Sequence, residues 1–487
     1  MLAGSLIIFP LIAAILVFMA KGKGARNLAL GFSILQFALS LVALFQFKHN
    51  PASHHLLLNC TWVKSLGINF AVGLDGFAML MVLLTTFLVP LIIVTSFKNT
   101  YDRENIFYGL ILLMQMALVG VFMANDGFLF YVFWELALIP IYFICLMWGG
   151  ENRGKITFKF FVYTLLGSLF MLVGLVYLYN NSISLAGTKS WAIQDLINSG
   201  RSLGESQQSI IFWLIFIAFA IKMPIFPFHT WQPDTYVTAP TQGTMLLSGI
   251  MAKMGTFGVM KWLLPIVPLG IEKWGGIAIG LSIAGVVYGS CIAIVQKDYK
   301  RLIAYSSFAH VGLIGAGILT ATAQGLQGAM LQMVAHGINA VGLFLIADIL
   351  LRHTGTRDID KLGGIRSMNG NFAVLFLIVM LGAVALPLTS GFPGEFLLIN
   401  GIFQFSATAA AFAGLSVILG AVYMLRSYQS IMLGDRKDSN ITFGSLDGSD
   451  KVVLIIICAA IIAFGIYPKA LTDITEPAVK ALMQNLK

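Results

Sequence analysis

An all-α integral membrane protein of about fourteen transmembrane helices is the fold class this sequence predicts, and three observations predict it. Only 10% of the 487 residues are charged, 58% are hydrophobic, and the mean hydropathy is +0.88; a soluble domain carries about 25% charge. Apolar runs of about 18–25 residues, long enough to cross a bilayer, recur along the whole chain. Two of those runs are cut by prolines next to charged residues, in FAIKMPIFPFH (219–229) and ALPLTSGFPGEF (385–396).

In order, the spans fall near 3–20, 28–46, 74–97, 107–123, 127–148, 159–180, 209–231, 240–262, 274–295, 301–321, 326–351, 371–403, 406–432 and 452–473. The first lacks a preceding basic region and a small-residue cleavage site, so it reads as a retained helix rather than a signal peptide. The loops are short and polar, with 181–208 and 352–370 read as longer loops, and none is large enough for a separate domain. Residues 1–487 therefore form a single membrane domain. Net charge is +9, but the basic residues sit in short loops, as anchoring charge does, and give no nucleic-acid footprint. Cys60, Cys145, Cys291 and Cys458 lie far apart without metal-ligand spacing, so they read as packing residues.

Alternate loops set the orientation. The set holding KGKGAR, KNTYDR, RGKITFK, KDYKR, 352–370 and the segment from DRKD to Lys451 carries 18 Lys and Arg, the opposite set 9, and Lys222, Lys253 and Arg426 complete the 30. Basic loops stay on the cytoplasmic side, so both termini are expected on the other.

The seventh and twelfth spans are the interrupted ones. Pro lacks an N–H and clashes with the preceding turn, so Pro224 with Pro227, and Pro387 with Pro393, should break their helices. Paired broken helices at matching positions point to an inverted-repeat transporter core. Two inverted five-helix repeats, 107–262 and 274–432, are expected.

Charge at mid-membrane is costly and marks ion or proton pathways. Glu135, Lys222, Lys253 and Glu395 stand out, with His310 and His336 and the polar neighbours His229, Tyr305, Ser306, Ser307, Gln332 and Asn339. Each has a structural alternative. Glu135 and Lys222 could form a buried ion pair; Lys253 could snorkel toward Lys261; the histidines could be satisfied core residues; Glu395 could cap the second half-helix. Asp126, Asp234 and Asp348 lie near span ends and read as interfacial. Together, a Glu–Lys–Lys–His–Glu succession near two broken helices is what a proton path requires. An amine in apolar surroundings favours its neutral form, and a nearby carboxylate favours the ammonium. Shifting the influence of Glu135 would then switch Lys222 between holding and releasing a proton, passed to Lys253, the histidines and Glu395.

Several motifs resemble one family: FWELALIPIYFICLMWGG, KFFVYTLLGSLFML, HTWQPDTYVTAPTQGTMLLSGIMAKMGTFG, QKDYKRLIAYSSFAHVG and GAMLQMVAHGINAVGLF, in that order over roughly 70–435. They are similar to the antiporter-like membrane subunits of respiratory complex I, most of all the M-type chain (subunit 4 in mitochondria). The resemblance implies a proton-translocating subunit of an NADH:quinone oxidoreductase in an energy-coupling membrane, with no cofactor of its own. FMN, Fe–S clusters and quinone would be held by partner subunits, and neighbouring antiporter-like chains would flank this one. It places the proton-path residues on Glu135, Lys222, Lys253, His310, His336 and Glu395, and the glutamate at the last position favours the M-type. In one departure, Tyr236 stands where the family commonly has histidine. A subunit of a multi-chain Na⁺/H⁺ antiporter or of a membrane-bound hydrogenase shares these motifs and stays open. So does a passive spacer in which the charges only lock helices together.

Overall fold

The computed structural model describes residues 2–20, 22–50, 56–183, 187–437 and 443–486. The first two spans are α1 (Leu2–Met19) and α2 (Lys23–His49). A two-stranded antiparallel hairpin follows, β1 (Leu57–Val63) and β2 (Ile68–Gly73), pairing Leu57 with Gly73 and Thr61 with Asn69. Then come α3 (Gly76–Thr95), α4 (Glu104–Met123), α5 (Gly127–Leu136), α6 (Leu138–Trp148) and α7 (Arg153–Asn181). A short amphipathic α8 (Ile193–Ser202) leads to α9 (Glu205–Lys222). The chain continues with α10 (Gln232–Thr238), α11 (Thr241–Leu246), α12 (Ala252–Gly258), α13 (Leu264–Ile266), α14 (Pro268–Val295), α15 (Tyr299–Leu319) and α16 (Ala323–Thr354). It ends with α17 (Ile365–Met368), α18 (Gly370–Ala383), α19 (Gly391–Phe405), α20 (Ala407–Met432), α21 (Gly448–Ile466) and α22 (Lys469–Leu486).

Short polar side chains start many of these spans. Asp75 accepts from Ala78 N at 2.7 Å, Asp126 from Phe128 N and Leu129 N, Asp298 from Arg301 N and Thr322 from Gly325 N. Each satisfies a backbone donor that a helix start leaves free. Among the described residues, eleven helices are long and apolar enough to cross a membrane, counting α5–α6 as one. The interrupted pairs α9–α10 and α18–α19 and the segmented run α11–α13 make up the remaining spans. α15 and α16 are 94% buried over their apolar windows, against 33% for α20 and α21. The former are the interior of the bundle and the latter face outward.

The loops sort into two ends. At one, Arg26 donates to Phe97 O, Trp148 to Asp102 O and Thr241 to Asp348, while Lys98 and Arg352 both pair with Asp447. At the other, Val72 bridges to Ala124 and Asp126 to Ala192, and Arg201 donates to Pro265 O and Asn485 O. The basic loops thus share one end. The hairpin, α8 and α22 share the other.

The structure corrects several expectations. Residues 57–73 form the hairpin and 193–202 a helix where plain loop was expected. Cys60 and Cys291 are exposed, so only Cys145 and Cys458 pack inside. Asp126 and Asp348 lie at span ends as expected but are shielded there by protein, Asp126 fully buried in its cap and Asp348 buried against Thr241 and Arg352. Lys261 is no solvent-seeking end: it is buried and pairs with Asp75 at 2.9 Å.

Candidate functional site

α9 stops at Lys222, and turns occupy 223–231 before α10. Pro224 and Pro227 remove two donors. Ile225 N reaches back to Ala220 O, and the indole of Trp231 donates to Ile221 O at 3.0 Å, so a carbonyl freed at depth finds a protein partner. Lys222 is 3% exposed, and its ammonium lies 5.4 Å from the centre of the Trp134 ring. Such a stack stabilises a desolvated cation. Glu135, the residue after Trp134, is half-buried and meets the Ser168 hydroxyl. It acts on Lys222 electrostatically, but the two make no direct ion pair. The helix carrying Glu135 loses one step of its ladder at Ala137, because Pro140 has no N–H for Leu136 O.

Lys253 lies on α12, between two π-helical turns at Leu247–Met251 and Val259–Leu263; such turns are frequent at functional sites. Close approach of α12 to α9 depends on Gly255. A Cβ there would sit 2.7 Å from Phe219 O and 2.9 Å from Met223 N. Lys253 is 1% exposed. Its Nζ donates to Ser248 O at 2.5 Å and shares a hydrogen bond of 2.6 Å with His336 Nδ1. It does not snorkel. With Nδ1 accepting from the lysine, His336 Nε2 donates to Ser307 Oγ at 3.0 Å, and Ser307 Oγ in turn lies 2.9 Å from Ser248 Oγ. The three helices carrying Lys253, Ser307 and His336 thus close a buried hydrogen-bonded ring.

The second break runs from Val384 to Ser390, between α18 and α19. Ala385 and Leu388 hold φ of 57° and 74°, a conformation costing roughly 1–2 kcal/mol for each non-glycine residue. Asn339 Nδ2 donates to Gly382 O at 2.9 Å, again satisfying a carbonyl at the break. Glu395, 3% exposed, does not cap α19. One carboxylate oxygen accepts from Gln332 Nε2 at 3.1 Å and lies 3.0 Å from His310 Nδ1, off the line of a good hydrogen bond. Gly394 permits this: a Cβ there would meet Gln332 N at 2.9 Å.

His310 and His336 rings stand 6.0 Å apart. Between them a cavity of about 20 Å³ is lined by Ser306, Ser307, His310, Gln332, His336 and Asn339. That is room for one water with several polar partners. Five of the six proposed residues therefore fall into two groups: Lys222 alone over Trp134, and Lys253–His336–His310–Glu395 as a nearly continuous row. Glu135 stands apart at the half-exposed edge. His229 is caged by Phe226, Tyr288 and Phe308, with Nδ1 unpartnered. Sequence reasoning missed Ser248 and Trp134; serine and tryptophan are unremarkable in apolar helices, so composition offered no signal for either.

A helical bundle with two interrupted spans, each beside buried ionisable side chains, defines a membrane subunit of antiporter type. A family model described as NADH:quinone oxidoreductase/Mrp antiporter, transmembrane, matches residues 124–420, and the chain belongs to that family. It is 38% identical over 487 residues to an NADH-quinone oxidoreductase subunit M of Rickettsia typhi, covering 98% of this chain and 97% of the relative. It is 34% identical to NADH-ubiquinone oxidoreductase chain 4 of Arabidopsis thaliana, covering 99% and 97%. A chain of respiratory complex I from Thermus thermophilus superposes with TM-score 0.91 at 30% identity, covering all of both chains.

Proposed function

We infer that this chain is the M-type, proton-translocating membrane subunit of an NADH:quinone oxidoreductase, working beside other membrane subunits of that complex. The observation that carries the mechanism is the buried row from Lys253 through His336 and His310 to Glu395. Each step is a hydrogen bond, a close contact or a gap one water can bridge. A proton on Lys253 passes to His336 Nδ1 while Nε2 releases one toward Ser307 or the cavity. His310 receives it and hands it to Glu395. Lys222, held over Trp134, loads and unloads as the Glu135 carboxylate's influence changes, and passes its proton across the α9–α12 contact to Lys253. Turns at the two breaks allow local backbone movement beside both ends of the row.

In this reading the subunit is a non-redox translocase. FMN, Fe–S clusters and quinone belong to partner subunits, and their reduction drives the charge shifts here. Residues 107–262 and 274–432 act as two inverted repeats, a reading supported by interruptions in the seventh and twelfth spans. The basic loops gathered at one end face the cytoplasm, with both termini opposite. Lys222→Met or Glu135→Ala, assayed by NADH-driven proton uptake into inverted vesicles, tests the relay. Loss of uptake in a fully assembled complex is expected. Undiminished uptake excludes Lys222 from the path and returns the charges to a structural role.

A further inference from the structure

An apolar cleft of about 480 Å³ opens on the outside of the bundle between α2, α3, α16, α21 and α22, away from the ionisable row. Its walls include Leu41, Leu44, Leu83, Ala460 and Ala463, and its one charged lining residue is Lys48 in the last turn of α2. Lys48 is exposed and makes no ion pair or hydrogen bond among the described residues. We propose that the cleft holds an acyl chain of an anionic phospholipid whose phosphate pairs with Lys48.

Length and charge each support this occupant. From Phe37 to Lys48, both lining the cleft, a helix rises about 16 Å. One leaflet of hydrocarbon is about 15 Å deep, so an acyl chain along this wall ends with its phosphate level with the ammonium. The small side chains of Ala460 and Ala463 on α21 leave the space. The charge lies at one end only, at the end of the molecule where α22 seals the cleft with Leu471 and Ile474. The cleft floor is Val334 and Ile338, so the lipid rests on the same helix that carries His336.

Photoactivatable phosphatidylglycerol and phosphatidylcholine, with the diazirine mid-chain, are incorporated into native membrane vesicles and the labelled residues of this chain are mapped. The expected result is label concentrated on the α2 and α21 walls, with phosphatidylglycerol exceeding phosphatidylcholine about fivefold, the factor that ~1 kcal/mol per basic residue gives at an anionic headgroup. Lys48→Gln equalises the two lipids while label from both remains. Ala460→Phe with Ala463→Phe fills the cleft and removes the label. The proposal is overturned by label no stronger than at outward Ile12 and Ile15 of α1, by equal labelling with both lipids in the unaltered chain, or by unchanged label in the filled variant. An unlabelled cleft, as when a partner subunit covers it, overturns it equally.

Discussion

Lys253 Nζ and His336 Nδ1 share a 2.6 Å hydrogen bond between α12 and α16, with both side chains buried. An amine in such a place is affordable only when its protons have partners. Here they are the Ser248 carbonyl and the imidazole. The same bond that satisfies the lysine is the one along which a proton would leave it.

Ser307 is the hinge of that ring, contacting His336 Nε2 at 3.0 Å and Ser248 Oγ at 2.9 Å. Ser307→Ala should lower NADH-driven proton uptake severalfold. It should cost only about 1–3 kcal/mol of stability, the range for leaving a buried polar group unpaired. Ser307→Thr, which keeps the hydroxyl, should restore uptake. Equal uptake in the alanine variant and the unaltered protein would remove Ser307 from the path.

Glu395 accepts from Gln332 and faces His310. Glu395→Gln keeps the size but removes the negative charge and the proton acceptor. Uptake should fall with assembly intact, and Glu395→Asp should recover part of it. If the glutamine variant pumps normally, Glu395 serves only as a bridge between α19 and α16.

A different group of charges is structural. Arg352 joins Asp348, Asp447 and fully buried Asp450 at the basic end, with Arg352 Nη2 to Asp450 Oδ2 at 2.7 Å. Arg352→Met leaves Asp450 uncompensated, which should cost about 3–5 kcal/mol and lower the thermal aggregation midpoint of the detergent-extracted complex. Adding Asp450→Leu should return most of that loss. A single variant as stable as the unaltered protein would show that Asp450 is hydrated and the network dispensable.

Much of this site was legible because charge is rare in these helices. Lys222, Lys253 and Glu395 announce themselves in apolar runs, and prolines at 224, 227, 387 and 393 mark the interruptions. Side-chain direction was not legible. A lysine at position 253 could have pointed toward Lys261 and the membrane surface; only the packing of α12 on α16 turns it to His336. Nor could spacing reveal that Lys222 sits over Trp134 with Glu135 beyond ion-pair distance, since the two helices involved, α5 and α9, are far apart in sequence. The hairpin was hidden for another reason. β1 is largely exposed on both faces, so it lacks the alternation that identifies a half-buried strand.

The most direct test is NADH-driven proton uptake by inverted vesicles carrying Lys253→Met, with subunit content measured in the same vesicles. The substitution keeps most of the side-chain length and removes the proton carrier. A fully assembled complex whose uptake falls at least about tenfold is the expected result, a modest bound beside the ~10²–10⁴-fold that positioned proton-transfer groups contribute. Normal uptake by the assembled variant would contradict the account, because the row would then conduct without its first member.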